Sequence, residues 1–244
     1  MLFAVLVVLF LATFIRSAFG FGEALVAVPL LAFVMPVEVA APIAVLVSIT
    51  VALVAIVRDL RHIHFRSVGW LFLATAVGTP LGLLMLHRLD SQVVKAVLGV
   101  VILVFSIWAL IGRRQTAFAD ERHAWLFGFA AGVLGGAYGM IGPPLVMYGA
   151  LRGWSPERFR ATLQGYFLPA SLLALCGYGL TGLWTPTVTR WYLLALPVVV
   201  AGIVAGRLVG GRISARRWFT LCIHAGLVMV GAVLLLQSLG WIAG

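Results

Sequence analysis

Two similar stretches decide the fold of this chain: Gly20-Phe21-Gly22-Glu23-Ala24-Leu25-Val26-Ala27-Val28-Pro29 and Gly139-Met140-Ile141-Gly142-Pro143-Pro144-Leu145-Val146-Met147-Tyr148. They lie about 119 residues apart, and each places glycine or proline inside strongly apolar sequence. In a membrane, irregular backbone persists only where it is buried in protein or lines a polar cavity. Interrupted apolar segments at equivalent places in two halves of a chain are typical of a transporter's binding site.

The composition is that of an integral membrane protein. Of the 244 residues, 63% are apolar and 10% are charged, and the mean hydropathy is +1.14. This leaves too little polar surface for a soluble globule. Apolar runs of about 18–20 residues match the hydrocarbon thickness of a bilayer. Six such runs predict full spans: Val39–Val57, Val68–Leu86, Gln92–Ile111, Ala161–Leu180, Trp191–Leu208 and Trp218–Leu239.

The formal net charge of +10 does not indicate nucleic-acid binding. The 17 Lys and Arg residues are spread over short loops without an aromatic-basic module, and we expect them to face the anionic lipids of a cell membrane. His62 and His64 have no third ligand nearby, and His224 stands alone in the last span, so no metal site is predicted. The chain has no nucleotide-binding loop, and we expect no cofactor.

The chain also has the pattern of a duplicated unit. At an offset of 124 residues, Gly78 and Gly82 match Gly202 and Gly206. Weak internal symmetry of this kind is frequent in transporters. The predicted parts are a first transmembrane repeat, a short cytoplasmic linker and a second transmembrane repeat: residues 1–112, residues 113–123 and residues 124–244.

Each repeat opens with a region whose apolar sequence is interrupted, so that it does not form one continuous run long enough to be read as a single transmembrane span. In the first repeat, Leu2–Ile15 and Glu23–Met35 have only 14 and 13 residues, about 20 Å of helix each, which is too short to cross a bilayer singly. The equivalent region Ala124–Leu151 is expected to break at Gly135-Gly136 and at Gly139–Pro144. Each region is therefore either one kinked span or a re-entrant hairpin.

The basic residues of the loops favour the hairpins. If both regions span, nine basic residues lie on one side of the membrane and seven on the other, which is almost no bias. If both are hairpins, the two halves are inverted and the division is thirteen to three, as the positive-inside rule requires. The three are Arg88, Lys95 and Arg190, and the thirteen are Arg58, Arg61, Arg66, Arg113, Arg114, Arg122, Arg152, Arg158, Arg160, Arg207, Arg212, Arg216 and Arg217.

We therefore predict an all-α integral membrane fold. It consists of a duplicated inverted repeat with six full spans and two re-entrant or broken helical hairpins, eight helical segments in all. Both chain termini are expected outside the cytoplasm.

The tips of opposed hairpins would meet near the middle of the bilayer. Each tip would lead into a short helix beginning around Glu23 or Leu145, and a helix N-terminus with small residues nearby favours an anion. The predicted substrate is a small anion. Its predicted binding residues at the two tips are Gly20, Phe21, Gly22, Glu23, Gly139, Met140, Gly142 and Pro143.

Glu23 is an acidic residue well inside an apolar segment. An ionised carboxylate there costs several kcal/mol unless it is paired or hydrated. Glu23 is therefore either a proton carrier or the structural partner of Arg16, seven residues earlier. A charged, unpaired Glu23 would oppose anion binding, so one of these two roles is required.

Four polar residues follow the second break. Thr162 and Tyr166 are four residues apart and share a helix face, so with Gln164 they are candidates to line a pathway. Arg160 would attract anions at its cytoplasmic mouth, or would serve as a positive-inside anchor. Ser48 and Thr50 occupy the corresponding span of the first half, where hydroxyl groups often bond back to their own helix.

The chain resembles the TauE/SafE family of membrane transporters, the sulfite exporter-like proteins. The resemblance rests on Gly20-Phe21-Gly22 with Leu25–Leu31, on Gly139-Met140 with Gly142–Leu145, and on Phe159-Arg160-Ala161-Thr162. It implies movement of sulfite, sulfonates or other small organic anions, often as export. Glu23 stands where the family usually has glycine or an apolar residue, and Ile141 where the second cluster often has glycine.

These observations predict a secondary transporter that exports a small anion, such as sulfite, a sulfonate or a small organic acid, by alternating access. Protons are candidate coupling ions because of Glu23. A passive anion channel is the alternative. An enzyme is not expected, because no nucleophile elbow or acid-histidine metal cluster is present. The sequence also allows a homodimer.

Overall fold

The computed structural model describes the backbone of residues 1–59, 65–111, 123–154, 156–213 and 217–239. It describes the side chains of residues 1–54, 68–111, 123–154, 162–209 and 223–239. The regular structure in the described part of the chain is entirely α-helical. Its ten helices are α1 (Leu2–Phe19), α2 (Glu23–Leu31), α3 (Val37–Asp59), α4 (Phe65–Arg88), α5 (Ser91–Ile111), α6 (His123–Tyr138), α7 (Gly142–Leu151), α8 (Pro156–Leu180), α9 (Pro186–Ile213) and α10 (Arg217–Ser238).

The helices confirm a multi-pass membrane protein. Ten helices replace the expected eight segments, because each broken region forms two separate helices. Six described segments are long and apolar enough to cross a membrane: Leu2–Phe19, Val37–Val54, Val68–Arg88, Ser91–Ile111, Thr162–Leu180 and Pro186–Val209.

The expected end of the first apolar segment at Ile15 is wrong. Helix α1 continues through Arg16 to Phe19 and has 18 residues, about 27 Å of helix, so it is long enough to span by itself. Arg16 does not end the helix because it is buried and paired with Glu23. The helix ends at Gly20, whose φ of 90° lies in the left-handed region.

The second broken region also differs from the expectation. No break occurs at Gly135-Gly136, and α6 runs on to Tyr138. Gly136 instead allows close packing on α4, since a Cβ at this position would be only 2.9 Å from the backbone nitrogen of Leu83. The break comes at Gly139, where φ is 66°. Helix α7 begins at Gly142 rather than near Leu145, since prolines are tolerated in the first turn of a helix.

Glycines let two pairs of helices touch along their backbones. On α4, Gly78 and Gly82 lie so close to α6 that an added Cβ would overlap the carbonyl oxygens of Phe129 and Val133. On α9, a Cβ on Gly206 would lie 2.5 Å from the carbonyl oxygen of Phe14 of α1. Close approach at small residues is how membrane helices gain packing contacts. Helices α3 and α8, and α5 and α10, form the other main contacts between the two halves of the chain.

Some sequence expectations fall on parts of the chain outside the described residues. They include His62 and His64, and the predicted linker apart from His123, the first residue of α6.

Candidate substrate-binding site

The two helix breaks face each other inside the protein. In the first, Gly20 and Gly22 have φ values of 90° and 104°, and in the second Gly139 has a φ of 66°. This left-handed conformation is accessible to glycine at low cost and strained for other residues. The glycines therefore end one helix and begin the next within three residues.

A small cavity lies between the breaks. Its volume is about 10 Å³, room for about one water molecule, so this conformation is closed to any organic anion. The lining comes from both breaks and from α8: Phe21, Gly22, Glu23, Ala24, Leu25, Gly139, Met140, Ile141, Gly142, Pro143 and Phe167. The structure thus brings together seven of the predicted site residues, and Gly20 adjoins them as the C-cap of α1.

The two short helices offer different numbers of backbone donors. The first N–H groups of a helix have no acceptor within it, and in α2 the first bonded amide is that of Val26, which donates to the carbonyl oxygen of Gly22 at 3.2 Å. The amides of Glu23, Ala24 and Leu25, all cavity-lining residues, precede it. In α7, prolines at the second and third positions lack N–H groups. The N-terminus of α2 is therefore the better anion-binding end.

The structural alternative for Glu23 is observed. Arg16 Nη1 donates to Glu23 Oε1, and the two side chains are only 1% and 4% exposed. Each charge suits its position, since a cation is favoured at the C-terminus of α1 and an anion at the N-terminus of α2. The first break is therefore neutral as a whole, whereas the second carries no charged residue from Gly139 to Tyr148.

Three further side chains surround this ion pair. Arg16 Nη1 also lies 3.3 Å from Ser48 Oγ of α3, and Ser171 of α8 donates to Ser48 Oγ at 3.2 Å. The Arg16 guanidinium carbon lies 4.3 Å from the centroid of the Phe167 ring, a cation–π distance. Arg16, Phe167 and Ser171 were not among the predicted binding residues. The position of Arg16 inside an apolar run could have indicated a functional role for it, but nothing in the sequence singled out Phe167 or Ser171.

Three of the polar residues predicted after the second break, Thr162, Gln164 and Tyr166, do not line the cavity. Tyr166 forms a hydrogen bond with Thr75 of α4 and is fully buried. Thr162 Oγ1 and Gln164 Oε1 are buried without a hydrogen-bond partner among the described residues. The side chain of Arg160 lies outside the described part.

Comparisons with known proteins identify the family. Residues 5–234 match the protein-family model described as Sulfite exporter TauE/SafE. The chain belongs to this family. A relative from Cupriavidus necator, described as "Probable sulfite/organosulfonate exporter TauE", is 25% identical over 201 residues, which cover 80% of this chain and 78% of the relative. No solved structure matches the chain. The resemblance in the sequence is confirmed, and this TauE/SafE protein is a multi-pass transporter-family protein of the cell membrane.

Proposed function

We propose that this TauE/SafE protein is a secondary transporter that exports a small anion, with sulfite and organosulfonates as the first candidates. The observation that carries the proposal is the meeting of two glycine breaks around one cavity, with the N-terminal amides of α2 beside it. Backbone amides at a helix N-terminus bind oxyanions such as sulfonate. The family description and the name of the relative support the same substrate class.

The closed cavity is consistent with transport by alternating access. A cavity of about 10 Å³ between the breaks gives no continuous path, so an anion enters only after the surrounding helices move. A passive channel would require a continuous open path for at least part of the time.

We propose that residues 1–112 and residues 124–244 are inverted repeats. The close backbone packing supports the duplication, and the division of basic residues supports the inversion. A Cβ on Gly78 would meet Phe129 and one on Gly202 would meet Phe10. Gly78 and Gly202 are related by the offset of 124, and Phe10 and Phe129 by the offset of 119. The first helix of each repeat therefore packs on the fourth helix of the other, α1 on α9 and α6 on α4.

The predicted residues outside the cavity belong to the proposed pathway. Thr162 and Gln164 carry buried polar atoms without hydrogen-bond partners in the described part of the chain, and these atoms gain partners if a hydrated path opens beside α8. Tyr166 fixes α8 to α4 through Thr75, and Arg160 would attract anions at the cytoplasmic end.

Counterflow in proteoliposomes tests this function. Vesicles are loaded with unlabelled anion, diluted into traces of labelled anion, and compared across sulfite, isethionate, sulfoacetate and taurine. We expect transient accumulation of label with saturation for at least one sulfur oxyanion. Non-saturating flux without counterflow would identify a channel instead, and absence of flux for the whole panel would contradict the substrate class.

A further inference from the structure

Arg16 is a buried cation with unused hydrogen-bonding capacity. The residue is 1% exposed, and its Nη1 atom makes the contacts with Glu23 and Ser48. Its Nε and Nη2 atoms have no hydrogen-bond partner among the described residues. Buried charged donors without acceptors are costly. An additional acceptor that bonded to Nε and Nη2 would therefore stabilise Arg16.

Arg16 is not itself among the residues that line the cavity between the breaks, but two of the residues it contacts are. Glu23 and Phe167, which contact Arg16 on two sides, both line that cavity. A guanidinium presents adjacent N–H groups that match two oxygens of one oxyanion. The contact with Glu23 uses a single nitrogen. A sulfonate admitted when the surrounding helices move apart would therefore meet both the unused donors of Arg16 and the amides at the start of α2.

Charge balance links this binding to a proton. The pair of Arg16 and Glu23 is neutral, so a singly charged anion that takes the guanidinium leaves an unpaired carboxylate in a buried site, which is unfavourable. Protonation of Glu23 removes that cost.

We propose that Arg16 binds the transported anion, and that Glu23 holds Arg16 in the absence of the anion and takes up one proton when the anion binds. One proton then accompanies each singly charged anion, and the loaded site is as neutral as the empty one. The inference rests on the proposed transport function and assigns its binding charge and its coupling group.

Other titratable groups lie on the helices that surround the pair. On helices packed against α1, α2 or Arg16, the described titratable side chains are Glu38, Lys95, Tyr148, Tyr166, Cys176, Tyr178, Tyr192, Arg190, Arg207 and His224. Of these, His224 on α10 borders the first break, in a separate cavity with Phe21 and Gly22. It is 7% exposed, and its Nδ1 atom has no hydrogen-bond partner in the described part. His224 is therefore the rival proton acceptor.

The test uses isethionate, an organosulfonate whose charge is fixed near neutral pH, whereas the charge of sulfite changes there. In wild-type proteoliposomes, an imposed pH gradient should drive uphill accumulation of isethionate. Glu23→Gln, which keeps an oxygen acceptor for Arg16, should retain counterflow but lose gradient-driven accumulation. The double variant Arg16→Gln/Glu23→Gln removes both charges of the pair and so leaves neither one unpaired. It should raise the KM for counterflow about 10- to 100-fold, as expected for a lost charge-assisted hydrogen bond to the anion.

Two control variants complete the experiment. Arg88→Gln removes an exposed cation at the end of α4 and should behave like wild type, and so should His224→Gln. Uphill accumulation that persists in Glu23→Gln, or disappears only in His224→Gln, would overturn the inference while leaving transport intact. An unchanged KM in the double variant would also overturn it. Wild-type vesicles without counterflow for any anion would instead overturn the proposed function.

Discussion

Gly22 shows how a single residue shapes the site. Its φ of 104° is strained for any residue with a Cβ, although the nearest neighbour of an added Cβ, Ile15 Cγ2, would be at an ordinary 3.7 Å. We expect Gly22→Ala to lower the free energy of unfolding by about 1–2 kcal/mol and to reduce counterflow, because the backbone at the start of α2 must shift.

Gly182 provides a matched control for Gly22. It also has a positive φ, 74°, with nothing within 4 Å of an added Cβ, but it lies between α8 and α9, outside the cavity lining. Gly182→Ala should cost similar stability in detergent micelles without changing transport. Equal losses of counterflow in both variants, measured at equal amounts of folded protein, would contradict a specific role for the first break.

The pair of Arg16 and Glu23 makes a second prediction at the residue scale. Arg16→Ala or Glu23→Ala alone leaves an uncompensated charge at a site that is almost fully buried, and such changes cost about 3–5 kcal/mol. The double variant should lose less than the sum of the single losses, by about 0.5–3 kcal/mol. Denaturant titration of the four proteins in micelles measures this coupling, and additive losses would show that the two charges act independently.

At the scale of helices, stability depends on backbone contact along α4 and α6. A Cβ on Gly82 would lie 2.8 Å from the backbone nitrogen of Ala137, and backbone atoms cannot turn aside as a flexible side chain can. Gly82→Ala should therefore separate the two helices and markedly reduce the yield of folded protein.

Gly69, on the same helix, serves as the control for Gly82. Nothing lies within 4 Å of an added Cβ at this position, so Gly69→Ala should preserve or slightly improve stability, since alanine favours helix by up to about 1 kcal/mol. The comparison is read from the amount of monodisperse protein after purification. Similar yields of both variants would argue against tight packing of α4 on α6.

At the scale of the whole molecule, the proposed inverted arrangement of the two repeats predicts that two loops lie on opposite sides of the membrane. Asp90 lies between α4 and α5, and Arg152 lies between α7 and α8. In a background with Cys176 and Cys222 replaced, Asp90→Cys should react with an impermeant thiol reagent on intact cells, and Arg152→Cys only after lysis. Labelling of both from the same side would support two parallel halves with kinked spans.

Expectation and structure agree best where the deciding interactions are local. The start of α2 at Glu23 follows from Gly20 and Gly22, because glycine itself adopts the left-handed backbone conformation that interrupts a helix. Gly135 and Gly136 misled the same reasoning, because their role is close packing on α4 and Ile141 rather than a break. Glycine in a membrane helix serves either purpose, and the choice depends on what lies opposite.

The sequence by itself determined the membrane class, the position of the first break and the family, because run length and the backbone limits of glycine and proline act over a few residues. It placed the second break only within residues 135–144. The tertiary structure decided which side chains surround the first break. Phe167 and Ser171 reach it from α8, about 150 residues from Arg16 along the chain, and no local pattern encodes such a contact. It also decided that Arg16 lies inside the protein, since only a partner brought across the bend makes a buried cation tolerable.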